Sequence, residues 1–137
     1  LQTNKVKSAL NLFKIFHTLD REKLANEFFK HKSQLKNKVF FIQVNTGNEE
    51  NKSGIKVSEV TGFSNYCKYD LKINIRGLMC IPPIYESAEK HFKILKKIAM
   101  ENKLEQLSMG MSNDYKEAVM LDSSYIRIGT ILFGKRE

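Results

Sequence analysis

Apolar residues recur along this chain with two spacings that alternate. An apolar residue at every third or fourth position predicts helices, and five stretches follow that rule. We expect Asn4, Asp20 and Ser87 to cap three of them, and the second helix to end near Asn37. The apolar positions of the five helices are Val6, Ala9, Leu10 and Phe13; Leu24, Phe28 and Leu35; Val57, Val60, Phe63 and Cys67; Ala88, Phe92, Leu95 and Ala99; and the stretch from 112 to 121.

Short apolar runs between these stretches predict five strands. They lie at 15–16, at 39–44, within 71–79, at 104–109 and at 125–129. The second run is almost entirely apolar, which is typical of a strand buried on both faces of a parallel sheet. Because helices and strands alternate, we expect a parallel α/β fold.

Five strands suit either a flavodoxin-like open sheet or part of a (β/α)₈ TIM barrel. A complete barrel needs about 250 residues, so the barrel reading requires that these 137 residues be an incomplete chain. The first residues, Leu1 to Lys5, lack the features of a signal or transit peptide, and we interpret the start as a cut. In either fold, functional residues are expected where strands end.

Composition and charge argue against several classes of protein. The chain is 42% hydrophobic and 28% charged, as expected of a folded protein, and no apolar run approaches the length of a membrane span. Its formal charge is +8, but the lysines are scattered over every helix and no nucleic-acid motif accompanies them. Two cysteines without CxxC spacing predict neither a disulfide framework nor a zinc site, and a reducing cytoplasm fits best.

Two of the predicted strand ends carry residues suited to an anion. We expect Ser112 and Asp114 to begin a helix, where the Ser112 hydroxyl and the free N–H groups can point at one anion. Gly129 and Thr130 can donate backbone N–H groups from the next strand end. Together they predict a phosphate site. The alternative is that Ser112 is only an N-cap and Gly129 only a turn residue.

Alternation along the last strand places Arg127 on the same face as Gly129 and opposite Ile126 and Ile128, which we expect to pack on helices. A buried arginine has to be paired or has to donate to a ligand, because an uncompensated charge costs several kcal/mol. A structural salt bridge is the competing reading. We also expect the apolar run from 131 to 133 to pack against an apolar surface.

Five motifs in order resemble one family. Two of them look like the LSMGMSxD and RIGTxxFG signatures of YggS/PROSC-type proteins, namely LSMGMSND at 107–114 and IRIGTILFG at 126–134. Segments 1–5, 52–54 and 77–82 resemble the LQxNK, KxG and GLMxIP segments of the same family. This resemblance covers essentially the whole chain.

The resemblance implies an alanine-racemase-type barrel that binds pyridoxal 5′-phosphate (PLP) and serves PLP homeostasis without an established catalytic activity. Residues 1–137 would be the carboxy-terminal portion of a single barrel domain, from about strand four to strand eight. Carried over by position, Ser112, Gly129 and Thr130 hold the phosphate, Arg127 faces the pyridine nitrogen, and Met111 lines the cofactor. The Schiff-base lysine belongs to the first barrel strand and is absent from this chain.

The resemblance further implies PLP-dependent apoenzymes as partners and a monomeric parent protein. Two other function classes stay open: a PLP-dependent racemase-like enzyme, and a basic module that binds a polyanion. Other residues are read as structural: Lys52 as a solvated loop lysine, His17 as a satisfied histidine and Cys80 as a small buried apolar group. A five-strand arc also leaves two open edges, so we expect poor solubility of this segment by itself.

Overall fold

In a computed structural model, residues 1–134 form six strands and six α-helices. The helices are α1 (Val6–Leu12), α2 (Glu22–Lys30), α3 (Val60–Asn65), α4 (Ala88–Glu101), α5 (Tyr115–Met120) and α6 (Thr130–Phe133). The strands are β1 (Ile15–Leu19), β2 (Val39–Asn45), β3 (Ile55–Lys56), β4 (Ile75–Cys80), β5 (Gln106–Met111) and β6 (Tyr125–Arg127).

The sheet has the order β1-β2-β4-β5-β6, with every neighbouring pair parallel. The short β3 pairs with the end of β2, where Ile55 lies opposite Val44. A helix lies between each pair of successive strands except β2 and β3, which a loop connects, as expected for crossover connections in a parallel sheet. The predicted parallel α/β architecture is therefore confirmed.

One face of the sheet packs on the helices and contains the main hydrophobic core. Phe28, Phe40, Leu78 and Phe92 are at most 1% exposed in this layer. These are the apolar positions that the helical and strand spacings predict. Their burial supplies the main driving force for folding, at roughly 25 cal/mol for each Å² of apolar surface removed from water.

The other face of the sheet is concave and carries a small aromatic cluster. His17 of β1 stacks on Phe41 of β2 with ring centroids 4.7 Å apart, and Tyr125 of β6 meets the His17 ring edge-on at 5.1 Å. Because β1 and β6 lie at opposite ends of the strand order, this contact requires a strongly curved sheet. The curvature is that of a barrel wall, with His17, Phe41 and Tyr125 on the inside.

Gly77 lets two strands of this wall approach closely. A β-carbon at this position would lie 2.0 Å from the carbonyl oxygen of Gln106 on the neighbouring strand and 2.7 Å from the Phe41 ring. Neither the backbone nor the packed ring can move aside cheaply. The glycine of the GLMxIP-like segment is therefore a packing requirement of the sheet.

Several local expectations were wrong. Asn4 does not cap α1, because it lies inside a 3₁₀ turn at Thr3–Lys5 that precedes the helix. Asp20 makes no capping bond to α2, since its carboxylate accepts a hydrogen bond from Arg21 instead. Ser87 does occupy the N-cap position of α4, as expected, but its side chain makes no capping hydrogen bond.

The ends of two helices also differ from expectation. The helix α2 ends at Lys30, and a 3₁₀ turn at Lys32–Gln34 follows, so the expected continuation to Asn37 was wrong. The apolar run 131–133 does not pack: its side chains are 58–85% exposed, because no element within residues 1–134 covers α6. Within the same residues, no helix is long and apolar enough to cross a membrane.

Candidate functional site

The loop after β5 is shaped by Asp114. Its carboxylate accepts a hydrogen bond from the Met111 backbone N–H at 2.6 Å, and its own N–H donates to the Met111 carbonyl at 3.1 Å. These two bonds close a turn before α5 begins at Tyr115. The expected helix start is confirmed for Asp114, which is the N-cap of α5, and was wrong for Ser112, which lies within this turn.

Ser112 nevertheless lies at a convergence of N–H groups. Its hydroxyl oxygen accepts hydrogen bonds from the backbone N–H groups of Gly129 and Ile131, each at 3.4 Å. Gly129 is the N-cap of α6 and Ile131 lies in the first turn of that helix, with the exposed Thr130 between them. Two main-chain donors and one hydroxyl thus share one point at the carboxyl edge of the sheet.

A cavity of about 930 Å³ opens at this point. Its wall contains all four residues predicted to contact the cofactor. These are Ser112, Arg127, Gly129 and Thr130. Met111, expected at the ligand with them, lines the same cavity.

Arg127 reaches the cavity from the inner face of β6. Its Nη1 donates to the Ser108 hydroxyl at 2.7 Å, and its Nη2 donates to the Cys80 main-chain carbonyl at 2.9 Å. Within residues 1–134, no carboxylate lies at ion-pair distance from the guanidinium, so the structural salt bridge is not found there. Burial lowers the pKa of Arg127, but a guanidinium stays protonated at any physiological pH.

Ser108 is the functional residue that the sequence reasoning missed. It is a fully buried polar residue in a strand of apolar ones, and that contrast was the available signal. The Ser108 oxygen accepts a hydrogen bond from Arg127, so the Ser108 hydroxyl can donate its own hydrogen bond to Nδ1 of His17, 2.9 Å away. This places the imidazole proton of His17 on Nε2. His17 is a satisfied histidine, as expected.

The electrostatics of this inner face favour a neutral His17. Burial lowers its pKa below the usual 6.5, and the nearby positive charge of Arg127 lowers it further. A protonated His17 is therefore disfavoured next to the charged Arg127, which is bonded to the same serine. What the face offers a ligand is a fixed positive charge with hydrogen-bond donors around it.

The hydrogen-bond donors around this cavity suit a phosphate group. Main-chain N–H groups, a serine hydroxyl and an arginine are the donors that proteins commonly present to phosphate. The cavity has the size of a small-molecule site. No lysine among residues 1–134 lines it, and Lys52 pairs with Glu49 at 3.0 Å in the loop after β2, in agreement with its reading as a loop lysine.

Comparison with known proteins gives matches over the whole chain. A family model described as alanine racemase, N-terminal domain, matches residues 1–137. A pyridoxal phosphate homeostasis protein of Aquifex aeolicus (strain VF5) is 36% identical over 149 residues, covering 100% of this chain and 64% of that protein. The chain thus spans less than two thirds of the length of this curated relative and of the next two.

Solved structures agree. PipY of Synechococcus elongatus PCC7942, solved without PLP, superposes with a TM-score of 0.86 at 30% identity, covering 98% of this chain and 67% of that one. The same protein with PLP bound superposes with a TM-score of 0.80 at 27% identity over the same shares. The resemblance to YggS/PROSC-type proteins and the alanine-racemase-type barrel fold are confirmed.

Proposed function

Because the chain belongs to the alanine racemase N-terminal domain family, we propose that it supplies the phosphate- and pyridine-facing wall of a PLP site. One observation carries this proposal. The N–H groups of Gly129 and Ile131 converge with the Ser112 hydroxyl in a cavity that Arg127 also lines. A relative of the same fold, PipY, has been solved with PLP bound.

Each residue of the wall has its own task. Ser112 and the N–H groups of Gly129, Thr130 and Ile131 would hold the phosphate in place of the 3.4 Å contacts that the Ser112 oxygen now accepts. Arg127 has further N–H groups besides those bonded to Ser108 and Cys80, and one of them would donate to the pyridine nitrogen. A guanidinium donates only, so the ring nitrogen it contacts must accept a hydrogen bond and stays unprotonated.

That contact favours a carrier over a broad catalyst. When bound, PLP supplies a ring that accepts electrons, and it does so best with a protonated nitrogen. Arg127 keeps that nitrogen unprotonated. We therefore propose a non-catalytic role in intracellular PLP homeostasis, in the cytoplasm, with PLP-dependent apoenzymes as recipients and a monomeric parent protein. Residues 1–137 would be the carboxy-terminal portion of one barrel domain, from about strand four to strand eight.

Calorimetric titration with pyridoxine 5′-phosphate tests whether the proposed wall binds the ligand in the absence of the Schiff-base lysine. This compound carries the phosphate and the ring of PLP but no aldehyde, so it cannot react with the many surface lysines. We expect saturable binding of pyridoxine 5′-phosphate and at least tenfold weaker binding of pyridoxine, since a phosphate held by several charge-assisted bonds contributes more than about 1.4 kcal/mol.

Two serines give a matched pair for this titration. Ser112→Ala removes the hydroxyl from the cavity and should weaken binding of pyridoxine 5′-phosphate. Ser58→Ala makes the same change at an exposed position outside the cavity and should leave it unchanged. Equal affinity for pyridoxine and its phosphate, or equal behaviour of the two variants, would contradict the assignment.

A further inference from the structure

His17 is held on the concave face of the sheet by two aromatic side chains. Its ring stacks on Phe41 with ring centroids 4.7 Å apart, and Tyr125 meets it edge-on at 5.1 Å. The stack on Phe41 also accommodates a protonated imidazole, because a cation is attracted to the face of an aromatic ring. We therefore expect the His17 ring to keep its place in both protonation states.

Ser108 has one hydroxyl hydrogen and no bulk water to receive it, since the residue is 0% exposed. Within residues 1–134 its oxygen has two hydrogen-bond partners, Nη1 of Arg127 at 2.7 Å and Nδ1 of His17 at 2.9 Å. A guanidinium only donates, so Nδ1 of His17 is the acceptor that remains for the hydroxyl hydrogen. A chain of hydrogen bonds therefore runs from Arg127 through Ser108 to a neutral His17.

Protonation of His17 would reverse the second bond of this chain. Nδ1 would then carry a hydrogen and donate to the Ser108 oxygen, and the Ser108 hydroxyl hydrogen would lose its acceptor. An imidazolium and a guanidinium would donate to one buried oxygen. Two like charges so close together are unfavourable, and so is a buried donor without a partner. The contact between Arg127 and Ser108 thus depends on the charge of His17.

Few other groups in the sheet could act on the charge of His17. In β1, β2, β4, β5 and β6, the residues that are charged or take up a proton in acid are His17, Arg76 and Arg127. Arg76 is exposed at the irregular amino end of β4. Tyr125 and Cys80 gain no charge on acidification. Burial lowers the pKa of His17 below the usual 6.5, and Arg127 lowers it further, so the ring is neutral at neutral pH.

We propose that His17 is a positioning residue of the cavity: as a neutral ring it keeps Arg127 on the Ser108 oxygen, and on taking up a proton it releases Nη1 of the arginine. Nη2 keeps its bond to the Cys80 carbonyl at 2.9 Å, so the guanidinium stays near the cavity but is held by one bond instead of two. A purely structural histidine would affect stability in acid without changing the contact between Arg127 and Ser108.

Carbon-detected NMR observes the guanidinium directly in the ligand-free chain, independently of the proposed function. A correlation of ¹³Cζ with the two Nη nitrogens does not require slow hydrogen exchange, and the Arg127 signals are assigned by their loss in Arg127→Lys. We expect separate Nη1 and Nη2 signals at neutral pH, because two hydrogen bonds restrict rotation of the guanidinium. On acidification they should shift or merge with the midpoint shown by the His17 ring signals. Constant Arg127 signals while the His17 ring titrates would overturn the proposal.

Two substitutions separate the acceptor from the charge. His17→Asn can place an amide oxygen near the position of Nδ1, so it can accept the Ser108 hydrogen but cannot titrate. We expect it to retain separate Arg127 signals and to lose their dependence on pH. His17→Phe keeps a ring on Phe41 without an acceptor and should shift the signals at neutral pH already. Arg127 signals that still change with the wild-type midpoint in His17→Asn would contradict the proposal.

His31→Phe is the matched control, because His31 also titrates but lies at the end of α2, where its ring is 3.8 Å from Glu27. It should leave the pH dependence of the Arg127 signals intact. Should the wild-type chain unfold before His17 takes up a proton, the comparison of His17→Asn with His17→Phe at neutral pH decides the question. Identical Arg127 signals in these two variants would then count against the proposal.

Binding of pyridoxine 5′-phosphate gives a second readout, which rests on the proposed function. The phosphate of this ligand also titrates, so the affinity of the wild-type chain is compared at each pH with that of His17→Asn. The wild-type affinity should fall severalfold relative to that of His17→Asn as the His17 ring takes up its proton. A constant ratio would contradict the proposal. Absence of binding to both proteins would count against the proposed function, and the Arg127 signals would still decide the role of His17.

Discussion

Ser108 and Arg127 face each other from neighbouring strands, with the serine oxygen 2.7 Å from Nη1 of the arginine. The same oxygen lies 2.9 Å from Nδ1 of His17, on the far side of the curved sheet. One buried hydroxyl therefore accepts a hydrogen bond from the guanidinium of Arg127 and donates a hydrogen bond to the neutral imidazole of His17. This relationship orients the arginine that lines the cavity.

Removal of that hydroxyl should destabilise the fold. In Ser108→Ala, Nη1 of Arg127 and Nδ1 of His17 both lose their buried partner, at a cost of about 1–3 kcal/mol in the free energy of unfolding. Urea denaturation measures this cost. Ser112→Ala removes a hydroxyl whose contacts are 3.4 Å long and less buried, so it should cost less. A larger loss in Ser112→Ala would contradict this account of the inner face.

Stability should fall on mild acidification because of His17. Its pKa is below 6.5 in the folded chain, so the unfolded chain takes up the proton first as the pH falls through about 6.5. The unfolding free energy therefore decreases from about pH 7.5 to 5.5, a range in which carboxylates stay ionised. His17→Gln removes the titrating group, and its unfolding free energy should depend less steeply on pH. An unchanged slope in His17→Gln would count against burial of a neutral His17.

Two glycines should respond in opposite ways to alanine. Gly77→Ala places a methyl group 2.0 Å from the Gln106 carbonyl oxygen, and we expect a loss of more than about 2 kcal/mol in the unfolding free energy. Gly62→Ala, in helix α3 with open space around it, should stabilise by up to about 1 kcal/mol. Thermal unfolding of the two variants tests the close approach of β4 and β5.

The cysteines should be unreactive in the folded chain. Burial raises the pKa of both the Cys67 and Cys80 thiols to about 12, so almost no thiolate exists at neutral pH. We expect Ellman's reagent to modify neither thiol under native conditions and both in denaturant. Rapid native modification of Cys80 would show that the end of β4 opens, and would contradict its reading as a buried structural residue.

Much of this fold could be predicted from the sequence, because burial follows spacing. Phe28, Phe92 and Leu95 are buried where the helical period places them, and the nearly apolar run of β2 is buried as expected. Helix ends were less predictable. Whether Asn4 or Asp20 caps a helix depends on competing partners, such as Arg21 for Asp20, that spacing alone does not reveal.

The candidate site was predictable in composition but not in its connections. The motif resemblance and the strand alternation identified Ser112, Arg127, Gly129 and Thr130, and all four line one cavity. The hydrogen-bond network that holds Arg127 was not predicted, since its members Ser108, His17 and Cys80 come from three other strands. Contacts of that kind depend on how the sheet curves, and no local pattern encodes the curvature.

The most direct test of the proposed wall is a ¹H–¹⁵N NMR titration of the chain with pyridoxine 5′-phosphate. The amide signals of Gly129 and Ile131 should shift most, with saturation, because their N–H groups would exchange the Ser112 oxygen for phosphate oxygens. The Arg127 side-chain signals should move in the same titration. Shifts confined to surface lysines elsewhere, with the Gly129 and Ile131 amides unmoved, would contradict the account.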